Sequence, residues 1–186
     1  MRYKHSILSV VIIIVAGIAA WSTLSYHPQN LSSMQKISVP DAFMENVVAI
    51  VMDKQGKVSM KIATPKMIHY AENDTTYLTR PELTIHRRSP QPWYITSEYA
   101  KATNGADKVD FWENVTIHHA ADTNNPTTMI KTSKLTVLTQ DQIADTSELI
   151  TLTQPNIMVN ATGMHADLNS GDIKLLSQAR LEYAPT

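Results

Sequence analysis

The phrase Leu78-Thr79-Arg80-Pro81-Glu82-Leu83-Thr84-Ile85 recurs in outline as Leu152-Thr153-Gln154-Pro155-Asn156-Ile157-Met158-Val159. In the first copy Glu82, Thr84 and His86 alternate with Leu83 and Ile85, a period of two that puts apolar side chains on one face of a strand. The same alternation sets Lys57, Ser59 and Lys61 against Val58, Met60 and Ile62, and Thr116 against Val115 and Ile117. Stripes of helical period and useful length are hard to find from Asp41 onward, and the composition there is rich in Thr, Val, Ile and Tyr.

Working outward, short turn clusters separate these runs: Asp53-Lys54-Gln55-Gly56, Asn73-Asp74, Asn104-Gly105-Ala106-Asp107, Thr123-Asn124-Asn125-Pro126 and Asn169-Ser170-Gly171-Asp172. Such spacing predicts an antiparallel all-β domain. Similar segments start at Pro65, Ala100, Ser133 and His165, a period of about 33 residues, and each holds an internal break: Arg80-Pro81, Glu113-Asn114, Glu148 or Ser177-Gln178. Units of that size stack because none can bury its apolar face alone, and the first and last units keep free edges unless another chain covers them.

The remaining composition mainly excludes. The chain has 186 residues, enough for one core. Its 16 basic and 17 acidic residues are scattered, so no footprint for nucleic acid appears. The absence of cysteine removes disulfides, thiolate zinc sites, cysteine nucleophiles and a lipid-modified cysteine. There is no Gly-x-Ser-x-Gly elbow, glycine-rich phosphate loop or His-Glu-x-x-His, and the carboxylates lie mostly in turns, so we expect no catalytic residues, no metal and no cofactor. His69, His86, His118 and His119 read as exposed strand-end histidines, since neighbours in a strand cannot share one ion. Trp93 and Trp112 read as core anchors, and Arg87 and Arg88 as a solvated strand end.

Residues 7 to 24 carry no charge, and Arg2 and Lys4 precede them. The run is long enough to cross a hydrocarbon layer of roughly 30 Å and exceeds the core of a signal peptide. A cleaved leader with a small-residue site at Gly17-Ile18-Ala19 is the alternative. We expect a cytoplasmic stub at 1–6, a transmembrane signal anchor at 7–26, a polar linker at 27–40 and a β domain at 41–186 beyond the membrane.

These features, with Val58-Ser59-Met60-Lys61-Ile62-Ala63, Leu78 to Thr84, Trp93-Tyr94-Ile95-Thr96-Ser97-Glu98-Tyr99-Ala100-Lys101, Val115-Thr116-Ile117 and Thr162-Gly163-Met164 in this order, resemble the LptC family of lipopolysaccharide export in Gram-negative bacteria. The resemblance implies a twisted, partly open antiparallel β-jellyroll behind one transmembrane helix. It implies an apolar groove for lipid A acyl chains, in an inner-membrane protein with a periplasmic main domain. Its implied partners are lipopolysaccharide, the ABC transporter subunits LptF, LptG and LptB, and the soluble periplasmic jellyroll protein LptA. The alternative is a membrane-anchored β-repeat protein with a dry core that binds another envelope partner or a glycan.

By position, the family's groove sites fall on Val47 and Leu78. The candidate lining adds Val51, Val58, Met60, Ile62, Leu83 and Ile85, then Val115, Ile117, Leu135 and Val137. Gly56 and Gly163 match family glycines with a structural explanation, positive φ or close approach. Leu175, Leu181 and Tyr183 mark the expected partner edge. A two-residue loop would set Val47 opposite Ile62 and Val51 opposite Val58, whereas a bulge at Gly56 would turn Val48 and Ile50 inward.

Overall fold

The computed structural model describes residues 39–86, 91–123 and 125–183. The expected stub, the anchor, nearly all of the linker, and Arg87 and Arg88 lie outside them. Among the described residues no helix is long and apolar enough to cross a membrane.

Among the described residues eleven strands form one antiparallel sheet with a jellyroll-like course. They are β1 (Ala42–Met52), β2 (Val58–Tyr70), β3 (Thr75–Thr79), β4 (Glu82–Ile85), β5 (Trp93–Thr96) and β6 (Tyr99–Thr103). The second half holds β7 (Lys108–His119), β8 (Thr128–Leu138), β9 (Ile143–Gln154), β10 (Ile157–Asp167) and β11 (Asp172–Tyr183). β2 pairs with both β3 and β4, and β7 with both β5 and β6. Each short pair is therefore one long strand interrupted in its middle, and the chain is an up-and-down meander with β1 and β11 at its edges.

The interruptions are corners. Asn46, Arg80, Glu113, Asn114, Gly163 and Gln178 all have positive φ, and register shifts fall in β7 between Trp112 and Val115, in β8 between Thr132 and Thr136, and in β10 between Thr162 and Met164. The internal breaks seen in the sequence are these corners, where each strand leaves one leaf of the structure and enters the other. Bulges of this kind bend a strand and sharpen its twist. Buried hydroxyls satisfy the backbone there: Thr64 donates to the Thr79 carbonyl at 2.7 Å, Ser97 to the Tyr99 carbonyl at 2.7 Å and Thr132 to the Leu149 carbonyl at 3.0 Å.

Between the leaves lies one apolar core. The first leaf contributes Ile62, Leu83, Ile95, Ile117, Ile130 and Leu152; the second contributes Leu78, Phe111, Leu135, Val137, Met164 and Leu168. Trp93 is buried as expected, but Trp112 is not: it is half-exposed and stacks on Tyr99 on the outer face, with ring centroids 6.0 Å apart. Alternation along β7 turns Val109, Phe111, Val115 and Ile117 inward and leaves Trp112 on the outer face.

The β1–β2 register corrects the expectation. Val47 pairs with Thr64 and Val51 with Met60. The connection is a three-residue loop closed by Asp53 and Lys57, with the Gly56 N–H donating to the Asp53 carbonyl and Gly56 at φ +77°. That lengthens the loop by one residue, and a bulge beside Ser59, whose hydroxyl donates to the Val51 carbonyl at 3.1 Å, adds another. Two slips of one residue cancel in their effect on facing. Val47, Ala49 and Val51 therefore stay on the face of Ile62 and Met60, and Val48 and Ile50 point the other way.

Candidate functional site: the space between the leaves

One cross-strand ladder spans the inner face of the first leaf: Ala49, Ile62, Leu83, Ile95, Ile117, Ile130, Leu152, Val159 and Leu181 are successive register partners. Exposure along it runs 9% at Ile62, 1% at Leu83, 0% at Ile95 and Ile117, 1% at Ile130, 7% at Leu152, 8% at Val159 and 63% at Leu181. The middle is packed shut, and the apolar row comes to the surface at both edge strands. Paired aliphatic side chains of this kind are the ordinary unit of sheet stabilisation, but here the row does not stop where burial stops.

Parallel to it, toward the tips of the first leaf, runs Val51, Met60, Ile85, Trp93, His119 and Thr128. This row changes character midway. Its β1 end is apolar, whereas His119 is fully buried, lies 3.4 Å from the buried carboxylate of Asp122, and packs its ring 4.7 Å from that of Trp93. The exposed reading of His119 is thus corrected. Inward alternation along β7 carries it beneath the β7–β8 loop, which folds Asp122 in after it. Asp122 also accepts from the Asn125 backbone N–H at 2.9 Å and its side-chain amide at 3.1 Å, so the loop is organised around this carboxylate. The one sequence signal was the polarity of residues 120 to 128, which says loop but not buried.

Of the candidate lining, Met60, Ile62, Leu78, Leu83, Ile85, Val115, Ile117, Leu135 and Val137 are brought together and buried between the leaves. Val47 is half-buried, while Val51 and Val58 are exposed at the β1 edge. Leu175 is half-buried against the core, and Leu181 and Tyr183 are exposed on β11. Gly163 has φ +77°, and a Cβ there would lie 2.9 Å from the side-chain atom Leu176 Cδ1 rather than against backbone. Gly56 needs only its positive φ, with open space around it. Among the described residues no group of His, Asp and Glu is arranged to hold a metal ion.

The tips of the leaves meet beside the β1–β2 hairpin. An apolar cleft of about 360 Å³ there is walled by Val51, Met60 and Ile85 from the first leaf and by Gln140 and Gln142 from the β8–β9 turn of the second. It adjoins a polar cleft of about 460 Å³ between Lys57 and His86 on one side and Gln142 and Asn169 on the other. Asp53, Ser59 and Gln142 belong to both. The glutamine and asparagine of this mouth lie in turns remote in sequence from the hairpin, and alternation says nothing about turns.

A match to the lipopolysaccharide-assembly, LptC-related family covers residues 8–184. The chain belongs to the LptC-related family. No curated protein matches it in sequence. Among solved structures the fold is similar to LptH of Pseudomonas aeruginosa, titled the LptA-homologous periplasmic component of a conserved lipopolysaccharide transport device. That likeness has a TM-score of 0.52 at 6% identity, covering 68% of this chain and 95% of the other. At such identity it speaks for the fold alone.

Proposed function

We propose that this LptC-related chain is a lipopolysaccharide relay of the inner membrane. It takes lipopolysaccharide from an ABC transporter of LptF, LptG and LptB and passes it to a soluble periplasmic jellyroll of the LptA kind. Residues 7–26 serve as the anchor, and the acyl chains travel between the leaves. The observation that carries this reading is the inner ladder: an unbroken apolar row that surfaces at both edge strands, where another jellyroll could continue both the sheet and the row by strand addition. Acyl burial contributes about 0.8 kcal/mol per CH₂, so a row of this length suits hydrocarbon while sugars stay in water. No bond is made or broken, and direction comes from ATP hydrolysis in the transporter. β1 faces the transporter, and Leu181 and Tyr183 on β11 face the soluble partner, with Leu175 supporting that strand from the core.

The closely packed middle, with Ile95 and Ile117 inaccessible, favours a second reading, a dry-core interaction protein. Photo-crosslinking groups at Val47, Met60 and Leu78 separate the two. Lipid capture in cells from these inner positions supports the relay, and capture only from the outward Lys61 sinks it.

A further inference from the structure

We propose that the mouth beside the β1–β2 hairpin is a subsite for the sugar hydroxyls of the transported glycolipid, with Gln142 and Asn169 as its principal hydrogen-bonding side chains. The proposal rests on the relay reading and assigns a place to the part of the lipid that cannot enter the core. Geometrically, the apolar and polar clefts are two halves of one opening, joined at Asp53, Ser59 and Gln142. An acyl chain lying on Val51, Met60 and Ile85 therefore leaves its head in the polar half.

The chemistry of that half selects hydroxyls over an anion. Lys57 is matched by the carboxylate of Asp53, whose Oδ1 accepts from the backbone N–H groups of Gln55 and Lys57 at 2.9 Å each. The opening thus presents one cation and one anion with the His86 imidazole, amides and a hydroxyl, rather than the cluster of cations a phosphate needs. Gln142 adds a sharper sign. Among the described residues its side-chain oxygen is buried with no hydrogen-bond partner, and its backbone sits at φ +55° while its carbonyl accepts from the Leu168 N–H at 2.8 Å. An orphan acceptor is costly to a fold unless something donates to it, and a sugar hydroxyl entering this cleft can. Asn169 lies opposite the hairpin in the β10–β11 turn, where only its backbone N–H is engaged, by Asp167 at 2.8 Å.

The test titrates the full chain, held in amphipol, with deep-rough lipopolysaccharide and separately with myristic acid, which has the hydrocarbon but no sugar. Gln142→Leu and Asn169→Ala are the variants; the second lies on an exposed turn, so the test survives if the first misfolds. The expected result is lipopolysaccharide binding weakened about tenfold in either variant, the scale of a lost hydrogen bond, with myristate binding unchanged. Equal lipopolysaccharide binding by variants and wild type overturns the sugar subsite and leaves the relay standing. Parallel loss of both ligands also overturns it, because the damage is then to the apolar wall. Failure of the wild type to bind lipopolysaccharide overturns both readings.

Discussion

Replacing Ile117 with alanine measures whether the space between the leaves is filled. Ile117 is 0% exposed and lies on the inner ladder between Ile95 and Ile130, themselves at 0% and 1%. Alanine removes three carbons, worth about 2.4 kcal/mol of transfer free energy, and the rigid neighbours leave a cavity that adds about 1 kcal/mol more. The expected loss is therefore about 3–4 kcal/mol, or about 10 °C in melting temperature for a domain of this size. Leu181→Ala, at the exposed end of the same ladder, removes the same number of carbons from a side chain 63% exposed and should cost under about 1 kcal/mol. Urea and thermal unfolding of the full chain, followed by far-ultraviolet circular dichroism, give both values. A loss below about 1 kcal/mol at Ile117, indistinguishable from Leu181, would refute the packed middle: it would mean that Ile117 borders an open trough and loses few contacts on truncation.

Gly163→Ala should destabilise by about 1–3 kcal/mol, because φ +77° is strained for alanine and the new Cβ meets Leu176 Cδ1 at 2.9 Å; adding Leu176→Ala should recover the steric part only, which a double-mutant cycle in urea resolves. Asp122→Ala should cost about 1–3 kcal/mol by removing the buried carboxylate that faces His119 and accepts from Asn125, and a loss under about 0.5 kcal/mol in chemical unfolding would show that the β7–β8 loop is not organised by this carboxylate. The backbone N–H of Ser170, followed by that of Asn169, holds the Asp167 carboxyl below the usual carboxylate range. Its contribution is present above the unfolded-state value of about 3.9 and disappears as pH falls through the lower folded value. Asp167→Asn should flatten stability against pH in that acid window, and an unchanged melting profile would count against the turn.

How far the sequence reaches is clear from particular strands. Alternation marks the inner faces of β4 and β7 because Leu83, Ile85, Val115 and Ile117 keep step between corners. It fails across the corners of β8 and β10, where an extra residue moves the inward set from Thr132 to Leu135 and from Ala161 to Met164. A period of two read through such a bulge predicts the wrong face. The register of β1 on β2 was out of reach for a related reason, since loop length and the bulge at Ser59 are backbone choices that the side-chain pattern only partly records. The internal breaks were visible as turn-like residues in the middle of strands, but that they align into one bent seam needs the pairing. Burial of His119 depends on where the loop after it goes, and no local pattern encodes that.

A packed middle is compatible with the proposed path for lipid because of where the hydrogen bonds lie. The ladders run within each leaf, and the turns of the second leaf are tied to one another, Asn104 to Asp74, Thr139 to Asp107 and Leu168 to Gln142. Across the mouth, Val51, Met60 and Ile85 of the first leaf share a cleft with Gln140 and Gln142 of the second. Parting the leaves about the corner seam exchanges apolar side-chain contacts for acyl contacts at about the same 25 cal/mol per Å², while the strand ladders stay paired. The cost of passage then falls chiefly on the buried polar groups at the far side of the mouth, His119 and Asp122. On the proposed relay, lipid entering from β1 would meet hydrocarbon first and that pair only beyond Trp93, which would make the β1 end the easy entrance and the His119 rung the step that a driven flow has to cross.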